Sequence, residues 1–459
     1  MSFKAPNLTI KEMYDYVMAP VHAKRSVASN IGLFLLLCVM AHGLYRFWVQ
    51  VNDGMVVTGL NSPVFWGIYI VTFVFWIGVA HAGALISAIL RLTGAEWKSS
   101  ITRIAEVITL FTLPMAASFP IIHIGRNGLF FYLIPYPNER LLWPNFRSPL
   151  MWDLFAISTY FIGSALFLYV TMVPDLGMAR PHMKGWKKTV YTFLSLGWRG
   201  THQEWLRIKE AATLFSVIIL PVVISVHTIV SWDFAMQLVP AWHSEVFGPY
   251  FFIGALFSGV AAVFTVMTIL KWRCKGFDVL LTKVHYDMLG RVFLVLCLSW
   301  SYLYFNDFFP GYYANEKDKL EYLHYTAFEK PYGPLFWTMF TTNFVFPVFC
   351  LGFKKFRESP LPMFLISLGV NVGMYIERVV LFLPGLQIYN GLNRNTAVYI
   401  PSFTEVSVIA ATFAFVIFGY VVFCRVFPIL PIWELAETKG REKIHEIAGK
   451  KIHYFQSGE

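Results

Sequence analysis

Residues 63–92 read PVFWGIYIVTFVFWIGVAHAGALISAILRL, with a single charge, Arg91, in the last turn. About 20 apolar residues cross a bilayer as a helix, and a run this long with so few charges reads as a membrane span. Working outward, nine more runs qualify: Ile31–Val51, Ile101–His123, Pro149–Pro174, Ala211–Ser231, Gly248–Leu270, Val284–Asn306, Pro334–Phe353, Pro360–Leu381 and Phe403–Phe427. Of the 459 residues 57% are hydrophobic and only 14% charged, against about 25% charged in soluble domains. The predicted fold class is an all-α polytopic membrane protein with ten transmembrane helices. A soluble enzyme on one anchor, a disordered chain and a fibrous chain are all excluded.

Most of the 37 Lys and Arg fall in segments that share one side if both termini are cytoplasmic. The loop between spans four and five alone holds Arg180, Lys184, Lys187, Lys188, Arg199, Arg207 and Lys209. Positive charge marks the cytoplasmic side, so a multi-pass membrane protein is expected, with both ends in the cytoplasm. The net charge of +10 then calls for anionic lipid and no nucleic acid. No h-region with a small-residue cleavage site follows Met1, so no removable leader is expected.

The expected organisation is a cytoplasmic segment 1–30, a first helix and outer loop 31–62, and a four-helix bundle 63–231. An outer loop and second bundle 232–381, a loop and tenth helix 382–427, and a cytoplasmic tail 428–459 complete it. A weak repeat, if real, makes two bundles of helices 2–5 and 6–9. Pro149-Leu150-Met151-Trp152-Asp153 opens the fourth span and Pro334-Leu335-Phe336-Trp337-Thr338 the eighth. Only the first copy keeps the carboxylate. The outer loops 124–148, 232–247, 307–333 and 382–402 are long enough to suggest a docking platform for extracytoplasmic subunits.

Ionisable residues inside spans are costly and usually functional. His123 closes the third span, Asp153 opens the fourth and Asp233 sits just past the fifth, so all three are expected at one depth near the outer face. A histidine and a carboxylate across an apolar cleft suit quinol oxidation, each holding one hydroxyl and taking one proton. Hydrogen bonding of these groups to nearby backbone is the plainer alternative. His227 is expected to join them or to bond a carbonyl, with Arg126 and Trp152 as neighbours. Deeper lie His81, Glu106, Glu377, Arg378 and Glu405, which read either as a proton relay or as polar glue between helices. Glu377 and Arg378 are adjacent, so each is expected to need its own partner.

The five cysteines, Cys38, Cys274, Cys297, Cys350 and Cys424, form no C-x-x-C, so neither c-type haem nor an iron–sulfur cluster is expected. A b-type haem needs histidines paired at one depth. His42, His81, His123 and His227 are the candidates, and counting along the spans puts His81 centrally and His123 and His227 nearer the outer face, so two clear pairs do not form.

The block from Ile121 to Tyr250 resembles the NrfD/polysulfide-reductase-type membrane subunits, most closely the quinol-oxidising membrane subunit of bacterial alternative complex III. Carrying the resemblance are Ile122-His123-Ile124-Gly125-Arg126, Pro135-Tyr136-Pro137-Asn138-Glu139-Arg140 and Trp143-Pro144-Asn145-Phe146-Arg147-Ser148. Pro174-Asp175-Leu176-Gly177-Met178-Ala179-Arg180, Leu196-Gly197-Trp198-Arg199-Gly200 and Val226-His227-Thr228-Ile229-Val230-Ser231-Trp232-Asp233 extend it. The resemblance implies a cofactor-free ten-helix subunit with the same two four-helix bundles and with His123 and Asp153 at the quinol-contact positions, menaquinol or ubiquinol being the substrate. It implies partners too: an extracytoplasmic iron–sulfur/molybdopterin-like subunit, haem c subunits, a homologous second ten-helix subunit, and a terminal oxidase or soluble carrier beyond them. The homologous subunit itself, a quinone-reducing anchor, a secondary transporter and a site-free structural anchor stand as alternatives.

Overall fold

The structure, a computed structural model, describes residues 8–62, 64–134, 149–239, 242–388, 398–441, 445–447 and 450–452. Ten of its helices are long and apolar enough to cross a membrane. They are α1 (Val27–Asp53), α2 (Gly67–Leu92), α3 (Thr102–His123), α4 (Pro149–Ala179) and α5 (His202–Ala235), then α6 (Phe247–Arg273), α7 (Lys283–Tyr313), α8 (Tyr332–Gly352), α9 (Pro360–Ile388) and α10 (Phe403–Val426). Shorter helices flank them, among them Ile10–His22, Trp186–Leu194, Lys317–Phe328 and Ile432–Arg441. Two three-residue strands, His445–Ile447 and Lys450–Ile452, pair antiparallel beyond the last helix.

Helix ends differ from the apolar runs where the sequence carries caps. α5 starts well before its run because Thr201 and Glu204 form a capping box, which satisfies two free backbone donors. It also continues to Ala235, so Asp233 lies inside the helix rather than past its end. The expected loop 307–333 is largely helical, taken up by the end of α7 and by Lys317–Phe328. The 382–402 segment is helical to Ile388. Residues 135–148, which hold two of the quoted motifs, lie outside the described residues.

Two four-helix groups emerge from the packing. In the first, α2 lies on α3 and α5, and α4 on α3 and α5. In the second, α6 lies on α7 and α9, and α8 on α7 and α9, in the same cyclic order. The corresponding helices α2 and α6 pack on each other and join the groups. In α2, 94% of the most apolar stretch is buried, against 6% in α1, so α2 is the central helix and α1 a peripheral one. α1 packs along α10, which lies in turn on α3.

Helices in lipid approach closely where residues are small. At Gly83 of α2, a Cβ would run into the Ala105 carbonyl and the Thr109 hydroxyl of α3. That proximity lets Thr109 Oγ1 donate to the Ala80 carbonyl at 2.6 Å. In α8 the helix loosens to a π-turn over Thr341–Val345.

At the end carrying the basic segments, the chain after α10 is strapped across the first group. Arg103 donates to Asp175 at 2.5 Å and to the Leu430 carbonyl at 3.3 Å. Trp433 gives its backbone N–H to Asp175 and its indole N–H to the Thr171 carbonyl, each at 3.0 Å. Arg91 pairs with Glu434 at 2.6 Å. Arg91 and Arg103 are thus bound in buried pairs, although by charge counting alone they read as free cytoplasmic cations.

Candidate functional site

Asp153 sits in the first turns of α4 and Asp233 in the last turn of α5, at the end of the bundle opposite the strap. The two helices run side by side, and the two carboxyls hydrogen-bond each other. Both are buried, at 3% and 8% exposure, and one oxygen of each has no partner among the described residues. Two carboxyl groups hydrogen-bond only when one of them carries the proton. A proton held between them would leave two acceptor oxygens, one on each residue. Each aspartate follows a tryptophan, and Trp152 and Trp232 meet edge to face with centroids 6.3 Å apart.

His123 ends α3, the helix that packs against α4. Its Nδ1 donates to the Phe119 carbonyl at 2.6 Å. That bond fixes the tautomer and leaves Nε2 as an acceptor. The turn beneath it is held from outside. Gln50 of α1 donates to the Ile122 carbonyl at 2.7 Å and accepts from Tyr69 of α2 at 2.6 Å. A helix end leaves carbonyls without intrahelical partners, and Gln50 supplies one here. No direct bond joins His123 to either carboxyl among the described residues. Arg126 is exposed just beyond, after Gly125 at φ +75°.

His227 does not join the acid pair. It lies six residues inward from Asp233, about 9 Å along a helix, and its Nε2 donates to the Phe251 carbonyl at 2.7 Å. Its ring meets that of His81, centroids 4.5 Å apart. The expectation of unmatched histidine depths is corrected: α5 runs a turn past its predicted end, which carries His227 inward to the level of His81. The rings touch, and each gives one nitrogen to a backbone carbonyl, His81 Nδ1 to Ile77 at 2.6 Å. Of the other two nitrogens, His227 Nδ1 is buried without a partner among the described residues, and His81 Nε2 lies toward the Val223 carbonyl. Tyr160 closes over His81 and donates to the Ala80 carbonyl.

Six residues further along α2, about 9 Å, Ser87 donates to Glu106. Buried polar groups thus recur at three levels of the first bundle: the acid pair, the two histidines and Glu106. The expectation that Glu377 and Arg378 need separate partners is also corrected. They pair with each other at 3.0 Å, the long arginine side chain folding back across one residue, and among the described residues neither makes another ion pair. Arg378 also lies over the Phe251 ring at 4.8 Å. Phe251 therefore touches His227 of one bundle and Arg378 of the other. Glu405 is placed elsewhere: it caps α10, accepting from Ser402 N at 2.8 Å, from Gly59 N at 2.7 Å and from the Tyr399 hydroxyl. Its carboxylate is engaged in holding the loop after α1. The Ser402-x-x-Glu405 spacing was the signal for that role.

Sequence reasoning missed Asp175, Arg103 and Gln50. Asp175 stood in a quoted motif, but only the fold shows that it faces Arg103. Gln50 carries no signal beyond being a polar side chain inside an apolar run. Among the described residues, no three His, Cys, Asp or Glu come together to hold a metal ion.

Residues 56–390 match the family model described as "Polysulphide reductase, NrfD". The chain is 25% identical over 264 residues to a putative dimethyl sulfoxide reductase membrane subunit of Halobacterium salinarum, with 56% of each chain covered. It is 22% identical over 255 residues to a selenate reductase subunit of Mesobacillus selenatarsenatis, with 53% of this chain and 57% of that one covered. The matches thus span little more than half the length of these relatives.

Proposed function

The chain belongs to the NrfD polysulphide reductase family, and on that premise we propose that it is the quinol-oxidising membrane subunit of a respiratory quinol:acceptor oxidoreductase of the alternative complex III type. The single observation that carries the reading is the buried, mutually bonded pair Asp153–Asp233 on the helices beside His123. Menaquinol or ubiquinol would enter with one hydroxyl on His123 Nε2 and the other on a free oxygen of the pair. As two electrons leave for an iron–sulfur subunit docked on the same face, one proton passes to the imidazole and one to the carboxyl pair. The quinone departs, and both protons have water close by. Both relatives are named as subunits of reductases, which need an electron donor, and quinol supplies one.

The basic end faces the cytoplasm in this reading, so both termini lie inside the bacterial cytoplasmic membrane and the acid pair faces out. An iron–sulfur/molybdopterin-like subunit, haem c subunits, a homologous ten-helix subunit and a terminal oxidase are the partners proposed. The histidine pair and Glu106 lie in steps of about 9 Å inward from the acids. That spacing supports a relay to the cytoplasm once waters join the free nitrogen of His227, and Glu405, fully bonded in its cap, drops out of it.

Vesicles holding the complex, an external pH dye and an external electron acceptor test both parts. Release of about two protons per quinol on the outer side is the expectation from quinol stoichiometry and general-base chemistry. Outward release in excess of that, lost in Glu106→Gln, supports the relay. Appearance of the quinol protons inside the vesicle refutes the site's placement.

A further inference from the structure

The second bundle has a cleft of about 670 Å³ between α7 and α8, at the position that corresponds to the α3–α4 site. Its walls are rings: Tyr304, Phe305 and Phe309 of α7 face Phe336, Trp337 and Phe340 of α8. Phe305 and Phe309 stack at 5.2 Å, and Phe336 and Phe340 lie nearly parallel, 6.5 Å apart. The outer rings stand open on the lipid-facing side, Phe305 at 60% and Trp337 at 49% exposure.

Two further observations bear on what fits there. Repeat and packing order match α8 to α4, so Phe336, Trp337 and Thr338 occupy the places of Met151, Trp152 and Asp153. The π-turn of α8, which begins after Phe340 and contains Phe344, borders the cleft, and such turns are frequent at functional sites. A carboxyl able to take a proton is what the second copy lacks. Thr338 gives its hydroxyl to the Pro334 carbonyl at 2.8 Å, and Asp307 of α7, buried with one oxygen unpartnered among the described residues, turns to Ser244 and is not among the residues that line the cleft.

We propose that this cleft is a second quinone site that binds the ring and first isoprene units without oxidising them. It holds a reserve molecule beside the working one. Planar rings gain from stacked and edge-on aromatic neighbours, which an acyl chain does not, and 670 Å³ lies within the range of small-molecule pockets, about 300–1,000 Å³. The inference rests on the quinol reading for its choice of occupant, through the correspondence of the two bundles.

The test is photolabelling of the intact complex with an azidoquinone carrying a short isoprenoid tail, with adducts mapped by mass spectrometry. Adducts are expected in two places: near 121–131 and 151–160, and within 298–312 and 336–344. Asp153→Asn and His123→Ala should lower only the first. Phe336→Leu and Phe340→Leu keep apolar bulk but remove a ring; each should cut the second by about two- to tenfold, with steady-state turnover unchanged. Labelling confined to the first place overturns the proposal, as does cleft labelling that survives both leucine variants. So does a photoreactive phosphatidylcholine that fills the cleft and is not displaced by quinone. Labelling only in the cleft would refute the working site while sustaining this one.

Discussion

Replacing Asp153 with asparagine separates binding from chemistry at the acid pair. The amide is the same shape and still donates to Asp233, so the bond between α4 and α5 survives and the complex should assemble. What disappears is the shared proton and the Asp153 oxygen as an acceptor; the carboxylate left on Asp233 is held by the amide N–H, which makes it the poorer base. A positioned base contributes about 10²–10⁴-fold to rate, which corresponds to about 2.7–5.4 kcal/mol of barrier. Quinol affinity loses at most one hydrogen bond, about 0.5–1.5 kcal/mol, so KM should rise no more than about tenfold. Asp233→Asn should act alike, and the double variant, which removes the last carboxylate, should be the slowest, with a loss short of the sum because the two acids share one proton. The assay is steady-state quinol oxidation by the purified complex with an artificial acceptor, beside native gels and binding of a fluorescent quinol analogue. Turnover within threefold of the parent in Asp153→Asn, with the complex intact, would show that the pair takes no proton. Fully additive losses in the double variant would show two independent acids rather than a dyad.

Gln50→Leu removes the donor to the Ile122 carbonyl and strands the Tyr69 hydroxyl, at about 1–3 kcal/mol per buried group left unpaired. Quinol KM should rise with a lower thermal midpoint, and Tyr69→Phe, which leaves the Ile122 bond in place, should be milder on both measures. Asp175→Ala strands Arg103 in an apolar interior and should destabilise by about 3–5 kcal/mol, read as loss of the folded chain in detergent; Asp175→Leu with Arg103→Met should recover much of it. The isolated chain should show no stoichiometric b-type haem band in its absorbance spectrum, since the two histidine rings that share a depth touch each other and leave no space for a macrocycle.

The spans were legible because length and apolarity are local properties, and all ten runs reappear as helices. Cap chemistry was legible too, at Thr201–Glu204 and Ser402–Glu405, though the apolar run alone misplaced the start of α5 and both ends shifted His227 in depth. Pairings across the fold were not. Arg103 and Asp175 meet 72 residues apart, and in one dimension each counts only as a charge near a span end. Glu377 and Arg378 misled in the opposite sense: helical geometry turns adjacent residues to different faces, but a flexible guanidinium in an apolar surround bends to the nearest carboxylate. At the candidate site, the sequence brought His123, Asp153 and Asp233 to one depth, and the contact between the two acids emerged only from the packing of α4 on α5.

The strap has a consequence for how the protein is made. A chain emerging from the ribosome completes α2 to α5 long before Trp433 and Glu434 exist, so Arg91 meets the membrane without its carboxylate and Asp175 without one of its donors. The first bundle stays incompletely satisfied until residues 430–434 have been made, well after its own last helix. Truncation shortly before residue 428 should therefore give a chain that the cell's membrane proteases clear, even with all ten helices present.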